Sequence, residues 1–427
     1  MPLVFKKIFL KSLFSVFLAF FIAIPLNAKS YLFSPLPPAH QQVFRAHPCS
    51  LECLRTLMHQ KKVFSFISRY DYRTQDKDIK AYYHSIMNYL NPPYVVSNAM
   101  RKENWQPKAE IAVLLPKAVV GRYAISVMNT ILAYLSTKEG DFKIQVFDSD
   151  QEDPEKLLKA YQEIEKEKYP FIIALLTKQG VENLLKSTSI SIPTYVPTVH
   201  KTQLEEEHKN QSFSERLYFG GIDYKEQLQM LLPYINSNAP IIEYDDDGLM
   251  GERLRQIVEN LKIQVKYQEN ISYRRATSFS KSFKKDEDLF KDSILILNTP
   301  AIKSGLILSQ IGLLDNKPLR VLSTQINFNP SLLLLVQPKD RRNLLLVNAL
   351  QKSDDKLIEY ASLLESDLAY DWVNYSSAIG VEMFLGILDP RFEKYFHENL
   401  QDNQVHYTNQ IYRALGYSFE PLKIDNR

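Results

Sequence analysis

Glycine is scarce in this chain, with 12 in 427 residues, and no Gly-x-Gly-x-x-Gly or P-loop pattern follows any apolar run. A backbone cradle for pyrophosphate needs such glycines at a strand-to-helix turn, so nucleotide chemistry of that kind is excluded. Cysteine is scarcer still. Cys49 and Cys53 are the only two, no Cys-x-x-Cys-His offers haem attachment, and their spacing matches no standard zinc pattern. None of the eight histidines stands in a zinc-protease or nucleophile-elbow context. No nucleophile and base are paired, so the chain is expected to be no enzyme, with no cofactor and no metal.

Long apolar runs and an excess of one charge are missing too. The stretch Leu13 to Ile24, about 12 residues, falls short of the ~20 needed to span a bilayer. Lys6, Lys7 and Lys11 precede it, and Pro25 and Ala28 follow. It reads as a secretory signal over residues 1–28, cleaved after export to the periplasm; an uncleaved signal, the alternative, is the one membrane attachment foreseen. No cysteine follows Ala28, which argues against lipid attachment there. Lys+Arg number 52 and Asp+Glu 49; the leader takes three lysines and no acid, which leaves the signs equal at 49 each. A neutral exported protein lacks the electrostatic footprint of a nucleic-acid binder.

What is present is core. Apolar residues make up 45% and charged ones 24%, enough for two or three structural units. In an oxidising compartment Cys49 and Cys53 suggest a local disulfide; two free thiols, or a metal site with His47 and His59, are the alternatives. Leu51, Leu54, Leu57, Met58, Phe64 and Ile67 recur near helical spacing, as do Ile79, Tyr82, Tyr83, Ile86 and Leu90. Two helices, Cys49 to about Tyr70 and Asp76 to about Leu90, are expected to form a hairpin. Asn91-Pro92-Pro93 ends it and a polar linker runs to Pro107, so residues 29–108 form a helical segment and linker.

From Glu110 strands and helices alternate. Strands are expected at 109–116, 142–148, 170–176 and 191–197, with helices at Gly121 to Ser136, Pro154 to Lys166 and Lys178 to Lys186 between them. The same grammar restarts after Tyr224, with strands at 240–244, 263–268, 293–298, 319–323 and 342–348. The basic insertion SYRRATSFSKSFKKDEDL interrupts it. Apolar strands separated by amphipathic helices argue for parallel sheets covered on both faces. The fold class is therefore α/β, two doubly wound parallel-sheet lobes in series behind a short helical segment. A last helix around Leu368 to Leu385 lies beyond the second series, its apolar positions core in character. The tail from Val405 to Pro421 reads as a terminal strand or hairpin.

Two motifs mimic chemistry. Ser278-Phe-Ser-Lys281 and Ser282-Phe-Lys-Lys285 match Ser-x-x-Lys, but no Lys-Thr-Gly accompanies them and Ser and Lys abound in that insertion. Glu243, Asp245, Asp247 and Gly248 resemble the opening of a calcium loop, yet its twelfth position is Leu254, which cannot coordinate. The step FIIALLTKQG is more telling. Thr177, at the end of a parallel strand beside free helix N–H groups, suits a small carboxylate or polar ligand; capping its own helix is the alternative.

The stretches IAVLLPKAVVGRYA, FDSDQEDPEKLLKAYQEI and EYDDDGLMGERLRQIVEN, spread over two α/β halves behind an export signal, resemble the type I periplasmic-binding-protein fold. With the helical segment in front and NQIYRALGYSF behind, the layout is similar to the penicillin-binding-protein activator family, whose members regulate a peptidoglycan synthase. The resemblance implies a two-lobed domain over 109–390, a tail over 391–427 packing on it, and a cleft between the lobes met by strand-end loops. By position the first lobe then offers Thr177, Thr198 and Lys117, and the second Asp245, Asp247 and Ser304, with Asp223 near the crossover. Each also has a structural role open to it as turn residue or helix cap.

Two functions are expected. One is a non-catalytic regulator or scaffold of envelope and peptidoglycan synthesis, with an envelope protein such as a peptidoglycan synthase as partner. The other is a receptor for a small polar ligand such as an amino acid or peptide. A receptor closes about flexible crossovers. A regulator fills its cleft, for which Phe328 and Leu332 to Leu335 are bulky candidates. The loop 337–343 and the insertion 271–287 are candidate partner surfaces, or solvated loops.

Overall fold

The structure is a computed structural model that describes residues 49–71, 73–90, 109–138, 140–205, 213–235, 238–278 and 287–422. The leader, His47, the linker and three of the four Ser-x-x-Lys end residues (Lys281, Ser282 and Lys285) lie outside them. Among the described residues fourteen strands follow in chain order: β1 Ala109–Leu115, β2 Phe142–Asp148, β3 Ile172–Ala174, β4 Thr194–Val196, β5 Leu217–Phe219, β6 Ile241–Asp246 and β7 Val265–Ile271. The rest are β8 Ile294–Asn298, β9 Arg320–Ser323, β10 Leu344–Asn348, β11 Asn399–Gln401, β12 Gln404–His406, β13 Gln410–Leu415 and β14 Ser418–Pro421.

They build two seven-stranded sheets. The first runs β11-β12-β5-β4-β3-β1-β2 and the second β14-β13-β10-β9-β8-β6-β7. Within each, the five strands counted from the β2 or β7 edge are parallel, with Ala109 opposite Phe142 and Ile241 opposite Ile294. Antiparallel pairs close the far edges, β11 on β12 and β14 on β13 on β10. The alternation inside β1 explains its central place: Ile111, Val113 and Leu115 feed one core while Ala112 and Leu114 feed another. Strand ends between β1 and β3, and between β6 and β8, are where connections depart to opposite faces and leave room for a site.

Helices cover both faces of each sheet. On the first, Tyr123–Ser136 and Trp372–Leu388 lie on one side and Pro154–Glu167 and Lys178–Ser187 on the other. On the second, Tyr224–Leu231 and Leu249–Asn260 oppose Ala301–Ile311 and Pro330–Leu335. The α/β architecture of two doubly wound lobes is as the sequence implies. Three differences are instructive. The lobes are interlaced rather than serial, because after β10 the chain returns to the first lobe: Phe384 of the long helix stacks on Phe171 at 4.3 Å, and β12 pairs with β5. Strand β5 has only three residues, too few for a periodic signal, and went unforeseen. The first N-terminal helix is two, Leu51–His59 and Val63–Ile67, since Lys61 takes a left-handed φ of 55° that ends the first.

The chain thus passes between lobes three times, at residues 220–223, 349–354 and 407–409. The N-terminal helices sit on the first lobe, where the Glu359 carboxylate accepts hydrogen bonds from the backbone N–H of Phe64 (2.9 Å) and Ser65 (3.1 Å). Cys49 and Cys53 are joined by a disulfide across 5.5 Å between Cα atoms. Among the described residues no helix is long and apolar enough to cross a membrane.

Candidate functional site at the strand ends

Strand β3 delivers Thr177 to the start of helix Lys178–Ser187. Its hydroxyl accepts from the Gly180 N–H at 3.2 Å, as an N-cap, and donates to the Glu152 carboxylate. The Thr177 N–H donates to the same carboxylate at 2.6 Å. Gly180 makes this possible, because a Cβ there would lie 2.3 Å from Glu152 Oε1. An anion therefore already occupies the helix N-terminus, where the dipole and free N–H groups favour one, and it belongs to the chain. Thr198 lies beside this arrangement, its hydroxyl donating to the carbonyl of Leu176. Lys117 is exposed, and its N–H donates to Asp148 at 3.1 Å.

In the second lobe the candidates fall into two groups. Asp247 is exposed and bound by the Lys303 ammonium, which also holds Asp246 and donates to the Ile271 carbonyl at 2.8 Å. The next residue, Ser304, is buried; its hydroxyl donates to the Thr299 carbonyl at 2.8 Å and meets the Thr299 hydroxyl at 2.7 Å. Asp245 is apart from these and 0% exposed, above Glu243 at 2%. The Asn298 amide donates to both acids at 2.9 Å, and Gln268 donates to Asp245 at 2.8 Å. Burial, and then the neighbouring Asp245, push Glu243 up to about 9, so it is protonated at neutral pH. Burial raises Asp245 as well, against the hydrogen bonds from Gln268 and Asn298. A polar cavity of about 210 Å³ opens nearby at edge strand β7, lined by Glu252, Arg255, Gln268, Glu269 and Asn270.

Asp223 caps helix Tyr224–Leu231 at the first crossing, accepting from the N–H groups of Lys225 (2.9 Å) and Glu226 (3.1 Å). Phe328 packs with Tyr370, Tyr412 and Phe419, at 5.2, 5.2 and 4.7 Å between ring centroids.

Sequence reasoning missed the group that spans the lobes. Arg122 lies 5.6 Å over the ring of Tyr123 in the first lobe, and Arg253 lies 5.8 Å over the ring of Tyr224 in the second. Burial raises the Tyr224 hydroxyl, Arg253 opposes this, and Tyr123 and Asp371 add to it. Tyr224 therefore feels both lobes and the loop before the long helix. Asp371 is raised by burial and eased by Arg122. His200 is pushed down to about 4 by burial, against Asp223 and with Arg253 and His406. These residues come from distant segments with no shared motif; Arg122 and Tyr123 within VVGRYA were the one visible sign. Among the described residues no cluster of His, Cys, Asp and Glu is placed to hold a metal.

No family model and no curated protein matches this chain. Solved structures do. A leucine-binding protein, LivK, of Thermotoga maritima is similar over 74% of this chain and 98% of its own, at 15% identity and a TM-score of 0.51. A branched-chain amino acid ABC transporter protein of Thermus thermophilus with bound valine matches over 74% and 95%, at 15% identity and 0.52. LpoA of Haemophilus influenzae matches over 82% and 66%, at 9% identity and 0.48. The chain has the type I periplasmic-binding-protein fold.

Proposed function

We propose that this protein is an exported, non-catalytic regulator or scaffold of envelope and peptidoglycan synthesis, acting in the periplasm through contacts with an envelope protein such as a peptidoglycan synthase. The observation that supports it most is the Glu152 carboxylate seated on Thr177 at the helix N-terminus, which takes the place a solute's carboxylate would need. Thr198, Asp223, Asp247 and Ser304 likewise spend their polar atoms on the chain itself. The layout of helical segment, two lobes and closing hairpin adds the envelope context.

A second reading, a receptor for a small polar ligand such as an amino acid or peptide, draws on Arg122, Tyr123, Tyr224, Arg253 and Asp371, which gather charge and aromatic rings at the lobe junction. Proteins of the same fold that bind amino acids lend it context. Heating the protein with saturating amino acids and short peptides separates the two. A regulator shows no rise in melting temperature, whereas a bound ligand raises it by mass action. Crosslinking in cells then identifies the partner: envelope-synthesis proteins are expected, and recovery of transporter subunits alone overturns the regulator.

A further inference from the structure

The three crossings are not independent tethers. Gln227, fully buried in the helix after the first crossing, exchanges two hydrogen bonds with Gln325: the Gln325 N–H donates to Gln227 Oε1 at 3.0 Å, and Gln227 Nε2 donates to Gln325 Oε1 at 3.1 Å. Gln325 Oε1 also accepts from the N–H of Ala349, at the start of the second crossing, at 2.9 Å. Gln227 Nε2 reaches the third crossing as well, donating to Asn409 Oδ1 at 3.0 Å, and Asn409 Nδ2 returns to Glu226 at 2.8 Å. Gln351 of the second crossing donates to the Thr408 carbonyl of the third at 3.0 Å. The two donors facing Gln325 Oε1 fix that amide's orientation, since a flip would set N–H against N–H.

The first-lobe ends of the first and third crossings are bound in the same way. The carbonyl of Gly220 accepts from both Ser376 Oγ (2.9 Å) and the Tyr407 hydroxyl (2.6 Å), joining the first crossing to the third and to the long helix. Tyr195 donates to the Ser376 carbonyl at 3.0 Å, and Gln404 bridges the Gly221 carbonyl and the Lys201 N–H. The backbone is held tightly here: a Cβ on Gly220 would lie 2.0 Å from the Tyr195 hydroxyl, and one on Gly221 2.2 Å from the Val199 carbonyl carbon. Tyr370, just before the first-lobe helix Trp372–Leu388, stacks into the second lobe against Phe328.

A hinge works when a few residues can change φ and ψ without losing bonds. The first and third crossings are bonded to each other at both ends, and the second is tied to the third through Gln351 and to Gln227 through Gln325, so rotation of one breaks hydrogen bonds held by the others. We propose that the buried amides Gln227 and Gln325, with Asn409, Tyr407 and Ser376, weld the three crossings into one rigid joint, so the two lobes hold a fixed angle and are presented as a single body. The proposal rests on the bonds of the crossings and not on the identity of a protein partner, and it opposes a receptor that closes about flexible crossovers.

Spin labels on one exposed site per lobe, Glu163→Cys and Asn260→Cys, read the angle by pulsed dipolar spectroscopy, the native cysteines staying bonded to each other. The expected result is one narrow distance distribution in the parent, widened about twofold or more in Gln227→Ala or in the half-buried Asn409→Ala. Asn409→Ala serves alone if Gln227→Ala does not fold. A broad or two-peaked parent distribution overturns the rigid joint. A narrow parent distribution left unchanged by every folded variant overturns the amides as its cause.

Discussion

The ammonium of Lys138 lies 3.6 Å from the ring centroid of Tyr395, with Phe392 and Tyr134 at 4.9 and 5.5 Å. It donates to the Glu393 carbonyl at 2.6 Å. Burial pushes this lysine down to about 8, outweighing the pull of Glu393 and Glu382. The folded value is then below the unfolded 10.5. Between those values only the unfolded chain keeps the proton, so this group makes stability rise as pH rises from 8 toward 10. Denaturant titrations of the parent and Lys138→Met at several pH values check it; the difference between them should shift by on the order of 1 kcal/mol across that window. Parallel curves would refute it.

Glu243 gives the opposite slope. Its folded value is raised to about 9 from 4.5, so the folded state holds a proton that the unfolded state has lost, and stability falls as pH rises through that interval. Glu243→Gln mimics the protonated form and keeps an acceptor for Asn298. It is expected to stabilise the protein by roughly 1–3 kcal/mol at pH 8 and to have little effect near pH 4. Thermal melts at the two pH values decide.

Gly180→Ala should cost about 1–3 kcal/mol, because the new methyl displaces the Glu152 carboxylate from the helix N-terminus. In a Glu152→Ala background the same change should cost much less. A double-mutant cycle measures the coupling; additivity would mean the carboxylate does not sit there in solution.

Arg341 is 1% exposed and gives its guanidinium to the carbonyls of Leu333, Val336 and Gly416, tying the segment after β9 to the β13–β14 turn. Arg341→Ala strands three carbonyls and is expected to cost about 3 kcal/mol or more. Arg341→Lys should rescue little, since one ammonium lacks the planar fork. Equilibrium unfolding in urea reads both.

The long parallel strands were legible because β1 and β8 carry the aliphatic runs 111–115 and 294–297, and β6 opens on Ile241-Ile242, a pattern suited to a doubly covered sheet. Thr177 was legible as a strand-end hydroxyl, but not its partner, since Glu152 lies 25 residues away on another loop. The short strand β5 and the return of the chain to the first lobe were hidden for a different reason. Pairing of Gln404 with Phe219 is decided by tertiary contact, and three residues carry no period. The junction residues Tyr123, Tyr224, Arg253 and Asp371 share no spacing at all; only folding makes them neighbours.

Because Phe384 and β12 come late in the chain yet complete the first lobe, that lobe cannot bury the core beneath the long helix until the second lobe's strands to β10 have been threaded out ahead of them. A chain cut after β10 would leave Phe171 and Tyr195 uncovered. As the chain is made, the early half stays open on that face until its last helix arrives, which exposes this apolar surface longest.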